Sequence, residues 1–143
     1  MKRLLITLAA LALPACASGG TPDSDRLALY QAHAMPPIEG FRYLNRIDGW
    51  TPLGDTAVAI WTRPNEAYLL EVDTPCPDLE FARAIGLTSS SGTVSSRFDK
   101  VIPRAGGSTR TTPCLIRQIR PLDVKALKSA EKDIRRQRED ASS

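Results

Sequence analysis

Two cysteines, Cys76 and Cys114, constrain what this chain can fold into more than any other pair of residues. The 143 residues hold three cysteines, and what this pair does depends on where the chain works. Its start carries the pattern of an export signal. Lys2 and Arg3 form a positive n-region, Leu4 to Leu13 form an apolar h-region broken only by Thr7, and small residues follow. That run is too short to span a bilayer, which needs about 20 residues, and Pro14 with the glycines behind it would end a buried helix at once. An exported chain meets oxidising conditions, where an even pair of cysteines reads as a disulfide. The closed loop of about 39 residues corresponds to about 4 kcal/mol in the chain-entropy estimate. The rival reading is a redox or metal pair. It lacks a C-x-x-C spacing, and His33 is the one histidine available as a further ligand.

The third cysteine closes Leu13-Pro14-Ala15-Cys16. This resembles the lipobox of bacterial lipoprotein signal peptides. The resemblance implies that residues 1–15 are removed and that Cys16 becomes an acylated N-terminus. The other reading is an ordinary secretory signal cut near Ala15 or Ala17. Bacterial lipoproteins carry several acyl chains, and each buried methylene contributes about 0.8 kcal/mol, so attachment is stable. In that class an Asp after the modified Cys favours inner-membrane retention. Ala17 at that place implies the outer membrane of a Gram-negative cell, with the domain facing the periplasm.

Without the leader about 128 residues remain, enough for one domain. Lys2 and Arg3 leave with it, so 19 basic residues fall to 17 against 16 acidic ones, a net charge of +1. That balance, with no basic run interleaved by aromatics, argues against nucleic acid as a partner. Residues 16–25 have no apolar period and read as a flexible tether, with a reach of roughly 17 Å. Residues 26–140 then form the single globular domain.

Ser24 or Asp25 can cap a helix to about Ala34, ended by Met35-Pro36-Pro37. Phe41 to Trp50 reads as a strand interrupted at Asp48-Gly49, followed by a turn over 51–55. Thr56 to Thr62 and Ala67 to Asp73 alternate as strands of an antiparallel hairpin. Asp78 can cap a short helix through Ile85, stopped by Gly86. Thr93 to Phe98 reads as a strand continued by Val101 and Ile102, and Cys114 to Arg120 as the last one. Asp123 can cap a C-terminal amphipathic helix over about 123–138, with Val124, Leu127, Ala130 and Ile134 as its apolar stripe and Glu131–Arg135 as a supporting pair. The expected core is Leu27, Val58, Ile60, Tyr68, Leu70, Val72, Phe81, Ile85, Val94, Phe98, Leu115 and Ile119. The class is α+β: a small antiparallel sheet or open barrel of about five strands, with short helices on one side.

The string Arg46-Ile47-Asp48-Gly49-Trp50, then Tyr68-Leu69-Leu70, Cys76-Pro77-Asp78-Leu79, Ile85-Gly86-Leu87-Thr88, Arg97-Phe98-Asp99, Pro113-Cys114-Leu115-Ile116 and Ile119-Arg120-Pro121-Leu122-Asp123 resembles a family of small Gram-negative lipoproteins of unknown function, each with one cysteine pair. The likeness lies in the order and spacing of these pieces over about residues 40–125. It implies the same Cys76–Cys114 pairing and the same address, and it brings no catalytic residues.

Chemistry-bearing residues are sparse. His33 sits at a helix end, and a Ser-His-Asp arrangement would rest on it alone. Asp48, Asp55, Glu71, Asp73, Asp78 and Asp99 offer carboxylates, but glycosidase-type work needs two of them held about 5–9.5 Å apart. Ser89-Ser90-Ser91-Gly92 and Gly106-Gly107-Ser108-Thr109 lack the phosphate-loop pattern and a helix behind it. Trp50 and Trp61 read as core residues or, if exposed, as ligand-binding anchors. Lys125, Lys128, Lys132, Arg135, Arg136 and Arg138 on the last helix face either solvent or an anionic membrane surface, diluted by Glu131, Asp133, Glu139 and Asp140. No cofactor and no metal site is expected. The function expected is a non-enzymatic binding or structural module, tethered through Cys16, with an envelope protein as a possible partner. The alternatives are a periplasmic inhibitor of a foreign hydrolase and a carboxylate-dependent hydrolase.

Overall fold

The computed structural model describes residues 22–107 and 111–143. The stretch read as a leader, Cys16 and residues 17–21 of the stretch read as a tether lie outside them, as do Ser108 and Thr109 of the second Gly/Ser loop. In chain order the elements are α1 (Asp23–Ala32), β1 (Gly40–Arg42), β2 (Gly49–Pro52), β3 (Ala57–Arg63), β4 (Glu66–Val72), α2 (Pro77–Glu80), β5 (Ala82–Leu87), β6 (Thr93–Ser95), β7 (Lys100–Ala105), β8 (Cys114–Pro121) and α3 (Val124–Ala141).

The fold is α+β. Six antiparallel strands, in the order β2-β3-β4-β8-β7-β5, curl into a nearly closed sheet, and β1 pairs with β6 as a separate ribbon. The β3–β4 hairpin carries the centre. Val58 faces Leu70 and Ile60 faces Tyr68 across it, so the alternating apolar positions meet on one side. β8 then joins β4 with Ile119 opposite Leu70.

Both faces of the sheet are covered, which is why β3 is buried at four successive positions, Ala57 to Ile60. On one face Val58, Ile60, Leu70, Val72, Ile116 and Ile119 pack against Phe41 and Tyr43, the β6 residue Val94, Leu79 of α2 and the two cysteines. On the other, the small residues Ala57, Ala59 and Ala67 let α1 and α3 come close, with Tyr30, Leu122, Val124 and Leu127 filling the space. Gly40 is needed where the ribbon closes on itself, because a Cβ there would meet the Val94 carbonyl oxygen at 2.5 Å.

Cys76 and Cys114 are bonded to each other, with Cα atoms 6.2 Å apart and both residues buried. The bridge ties the end of the β4–α2 connection to the start of β8.

Several expectations need correction. The expected α+β class with a small antiparallel sheet or open barrel stands; the main sheet has six strands where about five were expected, and two more form the ribbon. Phe41–Trp50 is not one strand. It is β1 and β2 in different sheets, with Asn45 between them at φ +56°. The helix expected through Ile85 stops at Glu80, and Ala82–Leu87 is a strand on β7, with Ile85 opposite Pro103 and Leu87 opposite Val101. Ladder bonds to β7 outweigh the local cap and stop signals there, so Gly86 packs against Ile102 instead of ending a helix. Strand β6 ends at Ser95 rather than at Phe98.

Phe81 and Phe98 are 69% and 81% exposed rather than core. Neither Ser24 nor Asp25 caps α1: Pro22 is the N-cap, and the helix starts at Asp23, inside the stretch read as tether. Asp23 and Asp25 lie in its first turn, where carboxylates oppose the positive end of the helix dipole. Cys76, not Asp78, is the N-cap of α2. The Asp123 cap stands as expected, its Oδ1 accepting from the Ala126 amide at 3.1 Å, and α3 runs on to Ala141.

Candidate functional site

A groove of about 690 Å³ opens where the connection from β1 to β2 lies beside the turn of the β3–β4 hairpin. Arg42, Leu44, Arg46 and Asp48 line it from the connection, and Thr62, Arg63, Glu66 and Tyr68 from the hairpin. The connection is held by two backbone hydrogen bonds, with a left-handed residue between them. Tyr43 donates its amide to the Gly92 carbonyl at 2.8 Å, Asn45 takes the left-handed conformation, and Asp48 donates its amide to the Trp61 carbonyl at 2.8 Å. Across the groove the hairpin turn is closed by the Thr62 hydroxyl, which donates to Glu66 Oε1 at 2.6 Å.

Tyr68 forms the aromatic part of the wall. Its ring stacks on Phe41 with centroids 4.1 Å apart and planes 10° from parallel, so β1 and β4 hold it from two sheets. Burial raises the Tyr68 hydroxyl above its ordinary pKa, the Glu66 carboxylate beside it adds to this, and Arg63 pulls it back. The hydroxyl therefore stays protonated at neutral pH, as a donor.

The charges in the groove are unevenly matched. Arg46 donates to Asp48 at 3.2 Å, although the arginine side chain is 82% exposed. Glu66 serves Thr62. Arg42 and Arg63 have no carboxylate within 4 Å among the described residues.

The residues singled out from sequence fall elsewhere. Trp50 and Trp61 are half-buried and lie on opposite faces, Trp50 against the ribbon side and Trp61 against the helices. Trp61 donates to Thr51 Oγ1 at 3.3 Å and lies under Lys128 Nζ, 5.6 Å from the ring centroid, so it serves packing between β3 and α3. His33 is the C-cap of α1, and its carbonyl accepts the Asp123 amide at 2.9 Å. Lys128 also donates to the Pro64 carbonyl at 2.8 Å, and Arg136 lies 4.0 Å from Asp133.

The carboxylates are dispersed as well. Glu71 accepts from Gln31 at 3.1 Å. Asp99 is buried; its Oδ1 accepts the Thr88 hydroxyl and its Oδ2 the Ser95 amide, both at 2.7 Å. One carboxylate contact was missed from sequence. Glu80 lies beside Asp23, and desolvation, a hydrogen bond with Asp23 and the charges of Asp23 and Asp55 raise its pKa. Glu80 is exposed and lies outside the hairpin-end groove. Among the described residues no group of three or more His, Cys, Asp or Glu can hold a metal ion, and no helix is long and apolar enough to cross a membrane.

The molecule is thus a small disulfide-bridged α+β domain with an arginine-rich groove at its hairpin end. A family described as "Family of unknown function (DUF6491)" matches residues 1–138, and the chain belongs to that family. No curated protein and no solved structure matches it.

Proposed function

We propose that this protein is a non-enzymatic binding module of the bacterial envelope, held at the outer membrane by lipid on Cys16 and presenting the hairpin-end groove to a ligand in the periplasm. The observation that carries the binding half is the pair Arg42 and Arg63. Both guanidiniums line a groove and neither has a carboxylate within 4 Å among the described residues. A bound anion is what such a pair lacks. The non-catalytic half draws support from the duties the carboxylates already have: Asp48 holds Arg46, Glu71 holds Gln31, and Asp99 holds Thr88 and Ser95. The address draws support from Lys2, Arg3, the apolar run and Cys16, together with a buried disulfide that suits an oxidising compartment. A tether raises the local concentration of the domain, so a modest affinity suffices.

Metabolic labelling with palmitate tests the address. The expected result is label on the wild-type chain in the membrane fraction and none on Cys16→Ser. An unlabelled chain with free thiols in the cytosol overturns it. Crosslinking from intact cells then tests the module: a specific envelope partner supports it, and turnover of a glycan or peptide by the purified chain overturns it.

A second reading, an inhibitor of a foreign hydrolase, is favoured by one observation. The turn Ser95–Asp99 projects Phe98 at 81% exposure, next to Arg97 at φ +67°. Asp99 and the Arg97 amide, which donates to the Ile116 carbonyl at 2.6 Å, hold that turn rigid. Loss of hydrolase inhibition in Phe98→Ala, with groove binding intact, would select this reading.

A further inference from the structure

We propose that the hairpin-end groove binds an anionic sugar, a saccharide ring that bears a carboxylate or a phosphate. The inference rests on the binding half of the function proposed above and not on the tether.

Three features of the groove each answer one part of such a ligand. The anionic group answers Arg42 and Arg63. A guanidinium presents a planar fork of donors that matches carboxylate and phosphate oxygens, and charge-assisted bonds of this kind are roughly twice as strong as neutral ones. The groove contains three arginines and two acids. Asp48 is taken by Arg46 and Glu66 by Thr62, so the cationic excess falls on the two arginines without acidic partners.

The ring answers Tyr68. Its aromatic plane is fixed by Phe41 before any ligand arrives, so little side-chain freedom is lost when a flat apolar surface settles on it. Leu44, 73% exposed at the same groove, extends the apolar contact. A bare inorganic anion would leave both unused.

The hydroxyls answer the acids. Each carboxylate has two oxygens and about four acceptor sites. Asp48 uses Oδ1 for Arg46, and Glu66 accepts from both the Thr62 and the Tyr68 hydroxyls, so the acceptor capacity left for donors from a ligand lies mainly on Asp48. A purely acidic ligand would be repelled there, whereas one carrying O–H donors beside its charge satisfies both sets. The groove volume of 690 Å³ falls within the usual range for small-molecule sites, about 300–1,000 Å³.

The test is a titration of the full chain, disulfide intact, by amide NMR and calorimetry with four probes: glucuronate, glucose 6-phosphate, glucose and inorganic phosphate. Saturable binding of glucuronate or glucose 6-phosphate is expected, with shifts confined to 42–48 and 62–68. The stronger of the two identifies the anion. Glucose and inorganic phosphate should each bind at least roughly tenfold more weakly, since each lacks one half of the recognition. The double variant Arg42→Gln/Arg63→Gln should lose roughly tenfold or more in affinity at an unchanged melting temperature. Lys132→Ala on α3 removes a positive charge elsewhere and should bind as wild type.

Equal binding of glucose, equal binding of inorganic phosphate, an unaffected double variant, or no saturation by either sugar anion overturns the proposal. Any of these leaves the palmitate result untouched, so failure of the ligand assignment and failure of the membrane address are told apart.

Discussion

The Tyr30 hydroxyl donates to Glu131 Oε1 at 3.0 Å, joining the first helix to the last across 101 residues of sequence. Tyr30 is almost wholly buried, between the sheet face and α3. Tyr30→Phe keeps the ring and removes the bond, and should cost about 2 kcal/mol, the scale of a hydrogen bond to a charged group. Urea unfolding at neutral pH measures it. Burial pushes the Tyr30 pKa up to about 12, with Glu131 adding to the shift and Thr51 opposing it. The raised value means that the folded chain holds its proton more tightly than the unfolded one. The stability involved is therefore complete below about pH 10 and is lost as pH rises through about 12. Wild type should weaken steeply over that window, and Tyr30→Phe less so.

The disulfide should matter more than any single side chain. Cys76→Ala/Cys114→Ala should lower stability by about 2–5 kcal/mol, because the open chain regains the freedom of a loop that the bridge closes. Thermal unfolding with and without reductant checks this. Thiol titration of the native protein should find neither Cys76 nor Cys114 reactive.

Asp99 is the buried carboxylate that shapes the β6–β7 turn, through Thr88 and the Ser95 amide. Asp99→Ala leaves both donors without a partner and should cost about 3 kcal/mol. Asp99→Asn keeps one acceptor and should cost less. Amide exchange at Ser95 and Arg97 should speed up in both variants while the β3–β4 hairpin stays protected.

Glu80 gives an acid-side signature. Desolvation and the contact with Asp23 raise its pKa, so its contribution is fully present below the ordinary carboxylate value and is lost as pH rises through the raised one. Glu80→Gln should therefore be at least as stable as wild type at neutral pH. It should also show a smaller loss of stability as pH rises through the weakly acidic range, read from melting temperature against pH.

Where local pattern and long-range pairing agree, the sequence was a good guide. Thr56–Thr62 and Ala67–Asp73 alternate cleanly between turn formers, and they fold as β3 and β4. Asp123 followed by Val124 and Leu127 announced α3 and its cap. The Ala82–Leu87 stretch misleads because Asp78 and Gly86 imitate helix signals, while its true partner, β7, lies more than a dozen residues away. Phe81 and Phe98 look like core by composition, but one follows the single turn of α2 and the other sits in the Ser95–Asp99 turn, where neither can point inward. The groove was invisible for a related reason. Arg42, Arg46 and Arg63 are scattered over three segments, and only the meeting of the β1–β2 connection with the hairpin brings them together.

Strand β8 has an unusual neighbourhood. One edge belongs to β4, while the other is shared end to end by β7, the Arg97 and Asp99 backbone and the stretch from Ala34 to Ile38, whose Met35 and Ile38 amides donate to Pro121 and Ile119. The sheet's middle is thus sealed by material synthesised some eighty residues earlier. A nascent chain must keep that early stretch available until its late strand emerges, and clipping it would bare a sticky ribbon edge to neighbouring molecules, a route to self-association that the intact polypeptide closes.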